Sequence, residues 1–261
     1  MSAKNDQVSQ YPSLNYRHVF ITGGATGIGA DIVRAFYQQG AKVSFIDIEE
    51  QASQQLFADI LGGDSDSQRL QYFICDIRNI PHLLETINRA KELYGDISVL
   101  INNAANDARH DTETLSVEYW DDQMAVNLRP NFFTAQAVVP HMKRLGGGSI
   151  INLGSISWRI KQDFMPVYTT AKAALEGMTR TLAKHHGRDN IRVNTLIPGW
   201  VMTEKQITHR LQVSDYEDIQ KNQCIKGTLD ATHIASAALF LAADDSKMIT
   251  AQSIIVDGGW V

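Results

Sequence analysis

Tyr168 and Lys172 are the residues of this 261-residue sequence whose types and spacing first suggest chemistry. They stand four positions apart in a run with helical periodicity, which would place both side chains on one face of a helix, within reach of a common ligand. A tyrosine and a lysine at this spacing also occur by chance on many helices. Ser155 strengthens the interpretation, because it follows a predicted strand at 149–153, where ligands bind in parallel sheets.

A tyrosine beside a lysine can act as the acid/base of a hydride transfer. When a hydride leaves a carbinol carbon the hydroxyl proton must also be removed, and a tyrosine with the usual pKa of ~10 is a poor base at neutral pH. The Lys172 ammonium would favour the phenolate of Tyr168, and a pKa lowered by about 3 corresponds to ~4 kcal/mol. Ser155 would hydrogen-bond the reacting oxygen and orient it. For Asn127 two interpretations stay open: it links Lys172 to solvent through a water or backbone contact, or it makes only local helix bonds.

The elements that would position these residues alternate between short apolar strands and helices. Strands are predicted at 17–22, 42–47, 70–75, 97–101, 149–153, 191–197 and 253–256. Helices are predicted from 28 to about 39, and at 49–61, 79–94, 117–144, 167–186 and 230–243. Strands joined by such helices run parallel through right-handed crossovers, so we expect an α/β fold: a single, doubly wound Rossmann-like domain with helices on both faces of a parallel sheet.

The domain is expected to span 17–261, after a polar leader at 1–16. Between about 198 and 227 the periodicity loosens, and this stretch is predicted to be a substrate lid.

A glycine cluster follows the first predicted strand. Glycines let backbone N–H groups approach a pyrophosphate, and the helix that opens behind them adds its positive end. The spacing, Gly23, three residues, Gly27, one residue, Gly29, departs from Gly-x-Gly-x-x-Gly, so a tight turn without a ligand is the alternative. Asp47 ends the second strand, where its carboxylate would accept bonds from ribose hydroxyls and repel a 2'-phosphate. No Arg or Lys lies within 23–29, so NAD is favoured over NADP.

Composition and charge exclude several other classes of protein. The net charge of -5 argues against a nucleic-acid partner, and no apolar run is long enough for a membrane span or for a signal peptide near the start. A cytoplasmic location is therefore expected. Cys75 and Cys224 lie far apart without metal-ligand spacing, so no metal site is predicted, and both are interpreted as reduced.

In combination, the motifs resemble the short-chain dehydrogenase/reductase family from about residue 17 to the end. They are Thr22-Gly-x-x-x-Gly27-x-Gly29, Asp76, Asn102-Asn103-Ala104, Asn127, Ser155, Tyr168-x-x-x-Lys172, Pro198-Gly199 and Thr203. Ala105 in place of a usual glycine and Ser98 in place of a common aspartate depart from the family pattern.

The resemblance implies a catalytic set and a set of cofactor contacts. The catalytic set is Asn127, Ser155, Tyr168 and Lys172. The cofactor contacts are Gly23, Thr26, Gly27, Ile28, Gly29, Asp47, Asp76, Ile77, Asn103, Ala104, Ala105, Tyr168, Lys172, Pro198, Gly199, Val201 and Thr203. Asp76 would meet the adenine, and the Thr203 hydroxyl would lie near the carboxamide. The family also implies a homotetramer built through the helices predicted at 117–144 and 167–186.

Within the family, the segments 103–110, 127–129, 154–158 and 198–206 are similar to bacterial aldose 1-dehydrogenases, which act on xylose, galactose or similar sugars. The implied reaction converts a cyclic aldose into a lactone. The expected substrate contacts are Asn106, Asp107, Ser155, Trp158, Tyr168 and Trp200, the tryptophans stacking on the sugar ring. Alternatives stay open: a hydrated loop with two packing tryptophans, an NAD(P)-dependent ketoreductase or alcohol dehydrogenase acting on a small ketone, polyol or acyl-thioester, and a non-catalytic NAD sensor.

Overall fold

The computed structural model describes residues 9–62, 67–209, 211 and 213–261. Residues 1–8 of the expected leader, and residues 210 and 212 of the expected lid, lie outside them. None of the helices within these described residues combines the length and the apolar composition that a transmembrane span requires.

A parallel sheet forms the centre of the described structure, as the alternating pattern predicts. Its seven described strands are β1 (His18–Thr22), β2 (Lys42–Asp47), β3 (Leu70–Ile74), β4 (Val99–Asn102), β5 (Gly148–Leu153), β6 (Ile191–Pro198) and β7 (Ser253–Val256), in the order β3-β2-β1-β4-β5-β6-β7. The strand order reverses between β1 and β4. In a sheet of this type a crevice for ligands opens at that point, beyond the carboxyl ends of the strands.

Helices cover both faces of the sheet. Within the described residues they are α1 (Gly27–Gln38), α2 (Glu50–Leu61), α3 (Ile80–Tyr94), α4 (Val117–Asn127), α5 (Arg129–Arg144), α6 (Pro166–His186), α7 (Glu204–His209), α8 (Val213–Asn222) and α9 (Ala231–Ala242). Side chains of β1 alternate between two cores: Val19 and Ile21 face α1 and α9, and Phe20 faces α3 and α5. All five residues of β1 are buried, as expected of a central parallel strand.

Two expectations about helices differ from the structure. The helix predicted at 117–144 is divided at Leu128, because Pro130 lacks the N–H that a continuous helix needs and its ring would clash with the preceding turn. Asn127 therefore ends α4 instead of lying inside a long helix. The stretch after Pro198, where no helix is predicted before 230, contains α7 and α8.

A chain of buried side-chain hydrogen bonds crosses the core. The Thr134 hydroxyl of α5 donates to Asn102 of β4 over 2.7 Å, and Asn102 donates to Asn152 of β5 over 2.9 Å. Asn152 donates to the hydroxyl of Thr179 on α6 over 2.9 Å, and Thr195 of β6 donates to the same hydroxyl over 2.8 Å. All five side chains are at most 2% exposed. Because each polar atom has few alternative partners in this interior, the chain fixes how three strands and two helices meet.

We predict that Asn152→Leu destabilises the fold strongly. The change removes the Asn152 acceptor of the Asn102 amide and one of the two donors to the Thr179 hydroxyl, and each loss costs roughly 1–3 kcal/mol. Urea unfolding should show the free energy of unfolding reduced by roughly 2–5 kcal/mol. The same change at exposed Asn222, the last residue of α8, should move it by less than about 0.5 kcal/mol. Equal effects at the two positions would contradict this role of the buried chain.

Candidate active site

A cleft of about 710 Å³ opens at the carboxyl edge of the sheet. Of the predicted site residues, those lining it are Gly23, Thr26, Ile28, Gly29, Asp47, Asp76, Ile77, Asn103, Ala104, Ala105, Asn106, Asp107, Ser155, Tyr168, Lys172, Pro198, Gly199, Trp200, Val201 and Thr203. They come from segments far apart in sequence, and the shared strand edge brings them together. Within the described part of the chain, Gly27, Asn127 and Trp158 do not line this cleft.

The glycine loop is packed too tightly for side chains. A β-carbon at Gly29 would lie 1.9 Å from the carbonyl oxygen of Gly23, and one at Gly23 would lie 2.7 Å from the α-carbon of Ala104. The Thr22 hydroxyl fixes the segment after β4 against this loop, because it accepts hydrogen bonds from the N–H groups of Asn103 and Ala104 over 3.0 and 3.1 Å. The glycine loop therefore exposes its backbone to the cleft directly before the N-terminus of α1. This arrangement fits a pyrophosphate group.

Asp47 ties the glycine loop to the end of β2. Its carboxylate accepts the N–H of Ala25 over 2.9 Å, that of Ile48 over 2.8 Å and that of Glu49 over 3.2 Å. A carboxylate has about four acceptor positions, so capacity for a hydroxyl donor remains. Asp47 therefore has a structural role that the sequence pattern does not reveal, in addition to the predicted ribose contact.

Asp76 reaches the cleft already paired. The Arg78 guanidinium donates to the Asp76 carboxylate through Nε and Nη2, the latter over 2.7 Å, and through Nη1 to Asp122 over 2.9 Å. These bonds hold the pKa of the Asp76 carboxyl below its usual value. Arg78 and Asp122 also line the cleft and were not predicted. The only available signal was the position of Arg78 two residues after Asp76.

Lys172 is buried beneath Tyr168. Its side chain is 2% exposed, and Nζ donates to the carbonyl oxygen of Leu153, the last residue of β5, over 2.7 Å. Nζ lies 5.5 Å from the centre of the Tyr168 ring. Burial lowers the pKa of the Lys172 ammonium to about 8, against the raising influence of Asp107. The Ser155 hydroxyl lines the cleft and accepts the N–H of Ser157 over 3.1 Å.

Asn127 acts on the cleft indirectly. Its side-chain oxygen accepts the N–H of Asn106 over 2.8 Å, and its amide donates to the carbonyl of Asn106 over 3.0 Å. Of the interpretations left open, the structure shows a backbone contact, made to Asn106, and a local bond to Gln123. Asn127 therefore holds the loop that follows β4.

The tryptophans are placed differently from each other. Trp200 lines the cleft, and its ring stacks on Trp260 with centroids 6.4 Å apart. Trp158 lies against the guanidinium of Arg159, which is 4.5 Å from its ring centre and pairs with Glu176. Of the two predicted substrate contacts, Trp200 therefore lies in the cleft lining and Trp158 lies outside it.

Further polar and apolar residues line the cleft without having been predicted as substrate contacts. They include Ser157, Ile160, Gln162, Phe164, Met165, Lys205 and Gln206. The Asp107 carboxylate accepts bonds from Lys205 over 2.9 Å and from Gln206 over 3.2 Å. Only their proximity in sequence to Tyr168 or Thr203 pointed to these positions.

Comparison with known proteins gives consistent matches. Residues 23–261 match the family model described as Enoyl-(Acyl carrier protein) reductase. The chain is 42% identical to the probable galactose dehydrogenase GalD of Rhizobium meliloti (strain 1021), over 96% of this chain and 97% of that protein. It is also 42% identical to the D-xylose 1-dehydrogenase of Caulobacter vibrioides (strain NA1000 / CB15N), over 96% of this chain and 98% of that protein. These relatives confirm the predicted similarity to aldose dehydrogenases.

Solved structures agree. A Sinorhizobium meliloti 1021 protein assigned to the short-chain alcohol dehydrogenases superposes with a TM-score of 0.88 at 27% identity, covering 95% of this chain and 98% of that chain. With Tyr168, Lys172 and Ser155 gathered in one cleft, these matches show that the chain is an oxidoreductase of the short-chain dehydrogenase/reductase family, whose members use a nicotinamide cofactor.

Proposed function

We propose that this oxidoreductase oxidises a cyclic aldose at C1 to the lactone, with NAD as the acceptor and Tyr168 as the base. The observation that carries the proposal is the set of polar side chains that line the cleft with Tyr168 outside the paired Asp107, Lys205 and Gln206: Ser155, Ser157 and Gln162, together with Asn106. A substrate with several hydroxyl groups can satisfy such donors and acceptors, whereas an apolar ketone would leave them unpaired. The named activities of the 42% identical relatives support the same class of substrate.

In the proposed reaction Tyr168 accepts the proton of the substrate's C1 hydroxyl directly. The hydroxyl on C1 gives its proton to the phenolate oxygen of Tyr168, while the C1 hydrogen departs as a hydride and the C–O bond becomes a carbonyl. NAD, when bound, supplies the acceptor for that hydride. Lys172, fixed by its bond to Leu153, favours the phenolate through its positive charge, and Ser155 orients the reacting oxygen.

The proposed preference for NAD rests on the charges at the far end of the cleft. Asp47 would accept ribose hydroxyls and repel a 2'-phosphate. Arg78 is a cation at the same end, but the carboxylates of Asp76 and Asp122 already neutralise it. The glycine loop itself has no cation.

The first test is the product. Purified protein is assayed at 340 nm against aldoses, polyols, small ketones and acyl-thioesters, with NAD or NADP for the alcohols and the reduced cofactors for the carbonyl compounds. We expect NADH formation with an aldose and a lactone visible by NMR. Tyr168→Phe, which removes the ionisable oxygen and keeps the ring, should form no NADH while still binding the cofactor. Activity confined to ketones, acyl-thioesters or acyclic alcohols, with no lactone from any aldose, would favour the reductase alternative.

The second test concerns cofactor choice. The double change Asp47→Ser with Ile48→Arg should raise the ratio of kcat/KM for NADP over NAD, because it removes the repelling charge and adds a phosphate partner. Affinity for both cofactors should fall, because Ala25 loses its Asp47 acceptor. Ile48→Arg alone is the control: it retains the Asp47 contact and should change the ratio less. A wild-type protein that uses NADP better than NAD would overturn the assignment.

The third test uses the buried Lys172. Between pH 8 and 10.5 the folded protein releases the Lys172 proton while the unfolded chain keeps it, so this ionisation makes the fold more stable as pH rises and costs the most below pH 8. Lys172→Met should therefore abolish turnover yet raise the free energy of unfolding at pH 7, by roughly 3 kcal/mol at most. The advantage should shrink towards pH 10.5.

Urea unfolding at several pH values measures this difference. Lys184→Met, at an exposed position of the same helix, is the matched control and should show no such dependence on pH. An advantage of Lys172→Met that stays constant or grows with pH would contradict the burial argument.

A further inference from the structure

One side chain joins two segments of the cleft wall that are distant in sequence. Asp107 lies in the loop after β4, and its carboxylate accepts a bond from Lys205 Nζ over 2.9 Å and one from Gln206 Nε2 over 3.2 Å. Lys205 and Gln206 are the second and third residues of α7. The ion pair is partly exposed, since 22% of the Asp107 side chain and 55% of the Lys205 side chain are accessible.

The loop on the Asp107 side is firmly held. Asn127 makes two hydrogen bonds to the backbone of Asn106, and the Asn106 side chain accepts the N–H of Ala108 over 3.1 Å. The N–H of His110 donates to the carbonyl of Phe164 over 2.9 Å, just before α6. Asp107 is therefore presented from a rigid support, next to the helix that carries Tyr168.

The α7 side has little support of its own. This helix has six residues, too few to be stable in isolation, and its side chains at 204–208 are exposed or half-buried. Locally, the Thr203 hydroxyl accepts the N–H of Gln206 over 3.3 Å at its start. The bonds to Asp107 connect α7 across the cleft to the loop after β4.

The helix also continues directly from a cleft segment. Pro198, Gly199, Val201 and Thr203 line the cleft immediately before α7, and a β-carbon on Gly27 of the glycine loop would lie 3.3 Å from the Thr203 methyl group. Movement of α7 away from Asp107 would therefore loosen the wall on the side of the cleft where the cofactor is expected.

We propose that Asp107 is a positioning residue that latches α7 over the cleft through Lys205 and Gln206, so that this latch must open before the reduced cofactor leaves. In this role Asp107 acts through α7 and is not itself a ligand of the sugar, which revises the expectation from the sequence. The inference rests on the proposed function only in taking a dinucleotide as the bound molecule, and it does not depend on which substrate is oxidised.

The test measures release of cofactor in the absence of sugar. NADH is bound to the full-length protein, and its dissociation rate constant is determined by stopped-flow fluorescence. Asp107→Asn and Lys205→Met should each speed dissociation roughly two- to fivefold, the range that breaking a partly exposed ion pair allows. The double variant should be no faster than the faster single variant, because both changes break the same contact.

A charge reversal separates loss of the latch from general damage. Asp107→Lys combined with Lys205→Asp should return the rate towards that of the wild type, whereas each reversal alone should speed release at least as much as the neutral variants, because it places two like charges together. Lys221→Met, at an exposed position of α8, is the control and should leave release unchanged.

Two outcomes would contradict the latch. If Asp107→Asn raises KM for the substrate while Lys205→Met changes neither KM nor NADH release, Asp107 is a direct substrate contact and the latch is wrong. If the two effects on release are additive, the residues act independently and the latch is also wrong. Because release is measured without sugar, failure of the aldose assignment would leave this test intact. An enzyme that binds NADPH instead is tested with that nucleotide.

Discussion

The buried hydrogen bonds from Asn102 through Asn152 to Thr179 are the constraint on which the geometry of the site depends. They join β4, β5 and α6 in the interior. Each of these elements carries part of the site: Asn103 follows β4, Ser155 follows β5, and Tyr168 lies in the first turn of α6. Thr179 is two turns beyond Lys172 on α6, so its bond to Asn152 also sets the rotation of that helix against β5. Amide and hydroxyl groups with few alternative partners specify one alignment more strictly than apolar contacts do.

Placing an ammonium inside this arrangement lowers stability to obtain function. Lys172 is fully enclosed and has the Leu153 carbonyl as its hydrogen-bond acceptor, so its charge is poorly compensated. That same lack of compensation makes the charge felt at Tyr168, because an ammonium surrounded by water would act on the phenol much more weakly. A rigid scaffold of strands is needed to hold such a group in place.

Much of the fold could be predicted from sequence because it depends on local patterns. Short apolar runs alternating with helical periodicity were enough to predict the parallel sheet. The glycines and Tyr168 line the cleft at the carboxyl edge of that sheet, as predicted from the direction of the strands. The break at Leu128 escaped prediction because the apolar pattern continues through Pro130. Contacts such as Arg78 with Asp122, or Asp107 with Lys205, join residues distant in sequence, and nothing in the local pattern reveals which charges will meet. The place of Trp158 outside the cleft lining, beside the Arg159 guanidinium that pairs with Glu176, was equally hidden from the local pattern.

The stack of Trp200 on Trp260 bears on the order in which the cleft is completed during synthesis. Trp260 follows every cleft residue in the chain, and the turn that positions it is held by the Asp257 carboxylate, which accepts the N–H groups of Gly259 and Val261. The glycine loop and Asp47 leave the ribosome far earlier, and their mutual contacts lie within the first strands and α1. The contact between Asp47 and the glycine loop therefore needs no residue made after β2, but the aromatic support behind Trp200 has to wait for Trp260 to emerge.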